Sequence, residues 1–324
     1  VNTSMAQLIA EELECDWTKI RSVSSGVSPV YNHTQFGAIQ MTGGSTALNS
    51  SWDQHLLLGA QMREMLKSAA ATRWGVKVSE VKASKGMVTH PKKGSLTYGE
   101  LAEEANKLPL PEKPPMKDPK DYKIIGQSLK RVDAPAKTNG TAIFGIDVKV
   151  PGMIYAVVAR PPLAGSKLKS MKESDAKKVR GVIDVVKFED RVAVLAKNTY
   201  AAIKGREVLN AQWDVSANKD ISDTSLMTSF KEKAKTTGLV AEKRGDAAAA
   251  LSKAKSKAIY EYEFPFLAHA PMEPLNCTIT FDGKKAEAWS GFQMPTTDRA
   301  AIAQVLGLKP VRGRKFRKTC RKKF

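Results

Sequence analysis

Cysteine is scarce. Cys15, Cys277 and Cys320 are the three in 324 residues, and none has a Cys or His neighbour at metal-ligand spacing. That argues against a zinc site or iron–sulfur cluster built from a local motif within this chain. The four histidines, His33, His55, His90 and His269, are scattered, with no HExxH pair among them. No apolar run approaches the length of a bilayer span. No internal repeat is visible, and no secretory signal pattern follows Val1. Acidic residues are absent from the last sixteen positions, where nine Lys or Arg residues crowd together.

Positive charge is abundant. The net charge is +19, and +10 remains once the end of the chain is set aside. Such a surplus suits an anionic partner: nucleic acid, an acidic subunit or a membrane surface. A solvated basic face explains the scattered lysines of the body as well, Lys167, Lys169, Lys172, Lys177 and Lys178 among them. The terminal string VRGRKFRKTCRKKF could hold nucleic acid or anionic lipid by charge. Its aromatics, Phe316 and Phe324, are too sparse for base stacking. A chain of this length accommodates two or three domains.

Periodicity predicts the elements. Residues 5–14 read as an amphipathic helix, and 16–23 as a strand. Residues 24–50 are rich in Ser, Gly, Thr and Asn, the chemistry of loops. A long helix spans about 51–73: Ser50 or Ser51 can cap it, Leu58, Met62, Met65, Leu66 and Ala69 recur at helical spacing, and Gly75 ends it. Short strands with a turn at KKG come next, then a helix opened by TYGELAEEANK. The proline-rich, charged stretch 108–122 reads as a domain boundary.

TAIFGIDV, MIYAVVARPP, VIDVVKF and RVAVLA suit strands. Glu189-Asp190 suits a hairpin turn between the last two. Ser174 is the expected cap of a short helix, and 199–212 the expected longer one, giving a compact α+β domain over roughly 126–215. Beyond it, 216–250 is polar, with Asp246 capping an Ala-rich helix. AIYEYEFPFLAHAPMEPLNCTITFDG and KAEAWSG suit strands around a loop, and 298–306 a helix.

Four stretches could carry chemistry. In Gln40-Met41-Thr42-Gly43-Gly44-Ser45-Thr46 two glycines permit positive φ and a close ligand approach. Successive amides there can form an anion nest, the hydroxyls add donors, and a helix start follows. An ordinary Gly/Ser loop reads the same way. In His269-Ala270-Pro271-Met272-Glu273-Pro274-Leu275-Asn276 two prolines stiffen a loop that can hold Glu273 and Asn276 at a cleft, or serve as a plain crossover. Gln293, between a strand and a helix, can donate an amide hydrogen to an oxo ligand, or lie on the surface. The basic tail is the fourth.

Taken in order, the segments TSMAQLIAEEL, QMTGGSTA, RWGV, LTYGELAEEA, KDPKDYKIIGQSLKRVDAPAKTNGTAIFGIDVKVPGMIYAVVARPP, FPFLAHAPMEPLNCT and WSGFQMP resemble the isoquinoline 1-oxidoreductase β-subunit family. That family lies within the xanthine dehydrogenase and aldehyde oxidase superfamily, and the likeness covers about residues 1–308.

It implies an α+β fold in which molybdopterin-binding domain pieces flank an α/β hammerhead domain. The expected parts are a partial molybdopterin-binding domain (1–107), a Pro-rich linker (108–125), the hammerhead (126–215), the start of a second molybdopterin-binding domain (216–308) and an aberrant basic tail (309–324). The likeness also implies a molybdenum–molybdopterin cytosine dinucleotide held by Thr42, Gly43, Gly44, Ser45 and Thr46. Ala47 stands where relatives often carry Ser. Gln293 matches the glutamine that hydrogen-bonds an oxo ligand of molybdenum, and Met272 and Glu273 match a loop along the substrate approach.

The activity implied is oxidation of an aldehyde or N-heterocycle with water as oxygen source. Electrons would leave through a small partner subunit carrying [2Fe–2S] clusters, with a cytochrome c as a candidate acceptor. A periplasmic or membrane-surface location fits the likeness and the charge. The family's Gly-Gln-Gly and GGGFG-type motifs and its catalytic glutamate have no match here. The chain therefore reads as an incomplete fragment, with an inactive product and a basic nucleic-acid- or membrane-binding protein as the alternatives.

Overall fold

A computed structural model describes residues 1–308. The expectations for the basic tail, Cys320 included, lie outside the described residues. Helices and strands are mixed, in two compact units: Val1–Val148 with the segment from Pro271 onward, and Lys149–Ala270.

The first unit is built on α1 (Asn2–Leu13) and α2 (Trp52–Trp74). Gly59 lets them meet, since a Cβ there would stand 2.5 Å from the Ile9 carbonyl oxygen and 2.9 Å from Glu12 Cβ. Gly59→Ala should therefore cost about 1–3 kcal/mol by overpacking, read as a lowered urea midpoint with an unchanged slope. Gly75, at φ +66°, ends α2 as its position predicts.

The buried stripe of α2 matches expectation at Leu66 and Ala69 and departs from it nearer the start of the helix. Leu58 and Met62 are each 41% exposed, while Leu56, Ala60, Arg63, Leu66 and Ala70 face inward. A buried carboxylate draws Arg63 in, and the apolar pattern does not register that. The antiparallel meander β1 (Lys82–Ser84), β2 (Met87–His90) and β3 (Gly94–Thr97) and helix α3 (Tyr98–Ala105) complete this core. Val88 and Leu101 are fully buried in it, contributing roughly 1.5–3 kcal/mol each. Thr97 and Glu100 cap α3 reciprocally.

Two expected strands are absent. Around 16–23 the Asp16 carboxylate accepts the Thr18 N–H at 2.9 Å and folds Trp17–Lys19 into a 3-10 turn. In TAIFGIDV, Asp147 accepts the Phe144 N–H at 2.8 Å and Gly145–Asp147 forms another such turn. A short helix α4 (Ala134–Thr138) precedes it.

The proline-rich stretch is held fast. Glu11 and Glu12, 1% and 0% exposed, reach out from α1. Glu11 accepts N–H groups from Lys123, Ile124 and Ile125 at 2.9, 2.6 and 2.9 Å and pairs with the Lys117 ammonium. Glu12 accepts the Lys117 N–H at 3.1 Å and pairs with Arg63 at 2.9 Å. Arg63 also donates to the Glu12 and Pro115 carbonyls, and Gln61 to that of Pro111. This strap ties the proline-rich stretch into the first unit, which runs on to Val148.

The second unit holds β4 (Tyr155–Ala159), β5 (Lys167–Ser170), α5 (Glu173–Lys178), β6 (Val182–Phe188), β7 (Arg191–Ala196), α6 (Thr199–Val208), β8 (Gln212–Asp214), α7 (Asp223–Ala234) and α8 (Ala247–Lys253). An antiparallel sheet in the order β4-β7-β6 aligns Val157 and Val185 with Val194. Helices α5 and α6 cover it through Ala176, Ala201 and Ala202. The β6–β7 hairpin turns at Glu189, φ +48°, as its position predicts. Strands β5 and β8 pair separately. Asp246 caps α8 as expected, whereas α5 begins before Ser174 and has no side-chain cap.

The strand expected over 258–267 is not formed. Ile259 is 91% exposed, and Tyr260, Tyr262, Phe264 and Leu267 are exposed too. A strand exists only against a partner, and none of the described strands pairs with this stretch.

The chain then returns to the first unit with the hairpin β9 (Thr278–Phe281) and β10 (Ala286–Trp289) and helix α9 (Pro295–Val305). That helix starts three residues earlier than predicted because Pro295 is preset for its first turn.

Candidate functional site

The glycine–hydroxyl loop and Gln293 are neighbours in the first unit. The Thr42 N–H donates to the Gln293 carbonyl at 3.0 Å. A Cβ built on Gly43 would lie 3.7 Å from Gln293 Nε2. Nearby, the Gln40 N–H donates to the Thr296 hydroxyl at 2.8 Å, fastening the loop to the first turn of α9.

The loop has a specific shape. Gly44 and Ser45 both lie in the left-handed region, at φ +58° and +55°. For Gly44 that costs nothing, while for Ser45 it is a strained choice. The Gly43 carbonyl accepts from both the Thr46 N–H, at 3.2 Å, and the Thr46 hydroxyl, at 2.8 Å. The N–H groups of Gly43, Gly44 and Ser45 and the Ser45 hydroxyl make no hydrogen bond with any described residue. Three successive free amides on an exposed turn, just ahead of a long helix, are donors for an anion.

Gln293 is exposed, and its amide makes no hydrogen bond among the described residues. Gln40 is buried and engaged: its oxygen accepts the Ser28 N–H, and its amide donates to Ser25 and to the Gly26 carbonyl. It supports the loop without facing a ligand.

The second candidate loop behaves differently. Glu273 accepts the Ile146 N–H and the Asn276 amide, both at 3.0 Å, so its carboxylate ties this loop to the 145–147 turn. Asn276 donates again to the Pro274 carbonyl, and its own Oδ1 is buried without a donor. The Ser290 hydroxyl bonds the Asn276 carbonyl at 2.7 Å, which joins this loop to the turn carrying Gln293. Met272 is exposed. His269 belongs to the second unit.

Two further residues of this unit gave no site signal in the sequence. His33, counted among scattered histidines, is buried with its Nε2 at 2.8 Å from the Thr46 hydroxyl. Asp298 sits in the first turn of α9, where burial pushes its carboxyl above the usual range. Burial also pushes the Cys277 thiol up, and the charge of Asp298 adds to that. No local motif announces either contact, because both are made through space.

Unpaired amides, two of them at positive φ, lie beside a side-chain amide that makes no hydrogen bond among the described residues, a donor set suited to an anion. Models of the molybdopterin cofactor-binding domain match residues 1–153 and 230–314. The chain is 30% identical, over 95% of its length, to the β-subunit of isoquinoline 1-oxidoreductase from Brevundimonas diminuta, of which it covers 45%. It is 28% identical, over 91% of its length, to a membrane-bound aldehyde dehydrogenase (pyrroloquinoline-quinone) of Gluconacetobacter polyoxogenes, covering 40% of it. It is also 28% identical, over 94% of its length, to a nicotinate dehydrogenase subunit of Pseudomonas putida, covering 26% of it.

Matches to the molybdopterin cofactor-binding domain together cover most of this chain, which spans less than half the length of these relatives. Among solved structures, a Cu,Mo-CO dehydrogenase overlaps 57% of the chain and 30% of its own, at TM-score 0.39 and 20% identity. A quinoline 2-oxidoreductase from Pseudomonas putida 86 overlaps 57% of the chain and 29% of its own, at TM-score 0.41 and 14% identity. Overlap that low carries no weight for the chemistry.

Proposed function

We propose that the chain is part of the large, cofactor-binding subunit of a molybdenum hydroxylase that oxidises an aldehyde or N-heterocycle with water as oxygen source. The observation that carries this reading is the run of unpartnered amides at Gly43, Gly44 and Ser45, held against Gln293 from the far end of the sequence. These donors fit the phosphates of a pterin dinucleotide, in its cytosine form by family likeness. The hydroxyls of Thr42, Ser45 and Thr46 belong to the same loop. Gln293 supplies an amide donor toward the metal end. When bound, the cofactor supplies the two-electron oxidation, and the protein's part is position and hydrogen bonding.

The finer assignments follow from the same reading. Residues 126–215 correspond to the hammerhead domain, a reading supported by strands packed under α5 and α6. Met272 and Glu273 lie toward the substrate approach, Glu273 as the tie that shapes the loop. A small [2Fe–2S] subunit is the partner, with a cytochrome c as terminal acceptor. The periplasm or a membrane surface is the location, in keeping with the net charge of +19.

Metal analysis of the chain coexpressed with its [2Fe–2S] partner tests the proposal. Stoichiometric molybdenum is the expected result, and background molybdenum in well-folded protein overturns it. Gln293→Ala should retain the metal while turnover falls, because its amide is not part of the phosphate cradle.

A further inference from the structure

We infer that His33-Thr34-Gln35 is a positioning clip, with His33 at its centre, that turns the amides of residues 43–45 outward toward their ligand. His33 bonds the last residue of the loop, and Thr34 and Gln35 bond the segment that follows it. His33 Nε2 lies 2.8 Å from the Thr46 hydroxyl. The Thr34 hydroxyl donates to the Ser50 carbonyl, and Gln35 donates to Asn49 Oδ1 at 2.5 Å.

The direction of each bond follows from its neighbours. The Gln35 N–H donates to His33 Nδ1 at 3.1 Å, so Nδ1 is the acceptor and the ring proton sits on Nε2. Nε2–H then donates to Thr46 Oγ1. The Thr46 hydroxyl hydrogen is left for the Gly43 carbonyl, 2.8 Å away. A peptide unit is planar and trans, so its C=O and N–H point in opposite directions. Drawing the Gly43 carbonyl inward sends the Gly44 N–H outward.

The ring is itself anchored. It is buried, tilted against Phe36 at 4.6 Å, and its backbone N–H closes a turn onto the Ile39 carbonyl at 2.7 Å. Preorganised donors bind more tightly because the ordering cost is met before the ligand arrives.

The clip rests on the cofactor reading for its purpose, but its geometry is measurable without a cofactor. Inorganic pyrophosphate serves as the probe, titrated calorimetrically into the full chain, with amide hydrogen exchange at position 46 as the second readout. His33→Phe keeps the ring volume and loses both nitrogens. His33→Gln loses the ring but places an amide donor near the Nε2 position.

His33→Phe and Thr46→Val are each expected to weaken pyrophosphate binding about tenfold, and the double variant no further, because they break one relay. His33→Gln should bind within about threefold of the unaltered chain, by the same relay logic. The reverse order, with Phe tolerated and Gln not, assigns the ring to packing and overturns the proposal, as do additive losses.

Absence of pyrophosphate binding in the unaltered chain would count against the cofactor reading alone. Exchange then decides the clip: faster exchange at position 46 in His33→Phe sustains it, and equal protection overturns it. Thr46→Val carries the same test should His33→Phe fail to fold.

Discussion

Arg63→Ala lowers the stability of the first unit by about 3–5 kcal/mol, the usual cost of stranding a buried charge. Glu12 is fully buried, and Arg63 is its one ion-pair partner among the described residues. Removing the guanidinium leaves a carboxylate with only the Lys117 N–H for company, and frees the Pro115 carbonyl. A urea titration of the chain reads the loss directly. Replacing both partners by apolar residues, Glu12→Leu with Arg63→Met, should recover much of it, since no charge is then left unpaired. A single variant as stable as the unaltered chain would mean that the strap bears no strain.

Acid acts on the same strap through Glu11. Burial would raise its carboxyl, but the Lys117 ammonium and the N–H groups of Ile125, Ile124 and Lys123 outweigh that and hold it below the ordinary glutamate value. The stabilisation is therefore complete above the unfolded glutamate range and is lost as pH falls through the lowered folded value. Glu11→Gln should flatten that part of the stability–pH curve.

Gly44→Pro should weaken pyrophosphate binding about 100-fold, equivalent to roughly two charge-assisted hydrogen bonds. Proline removes the Gly44 N–H and demands φ near −65° where the backbone stands at +58°. The turn must therefore reverse, taking the neighbouring amides with it. The loop is exposed at Gly44 and Ser45, so the fold should survive, which circular dichroism can verify. Unchanged affinity would remove these amides from any binding role.

Much of the architecture was legible because it is local. The length of α2, its stop at Gly75, the β6–β7 hairpin and the Asp246 cap each follow from residues a few positions apart. What escaped the sequence was made at a distance. Arg63 is buried because Glu12, on another helix, pairs with it, so a hydrophobic period put Leu58 and Met62 on the inner face instead. Asp16 and Asp147 captured backbone N–H groups and turned two β-branched, aromatic-rich stretches into single turns. Residues 258–267 have the composition of a strand and no pairing partner.

At the site, the glycine run and Gln293 were readable as separate fragments, and family likeness suggested that they meet. The part played by His33 was not readable. Its partner lies thirteen residues away across an irregular loop, where no periodicity exists to carry the signal.

The grip of α1 on the proline-rich stretch also fixes a length. Glu11 selects the amides of residues 123–125, up to 114 positions further along the chain. Adding or deleting one residue between Lys117 and Lys123 would offer that carboxylate the wrong register. Loops of this composition ordinarily absorb insertions freely, but here the chain is measured out like a belt at a chosen hole. Tolerance for inserted sequence passes instead to 235–245, a polar, exposed stretch without helix or strand, where an affinity tag or reporter peptide can be spliced in without loosening either core.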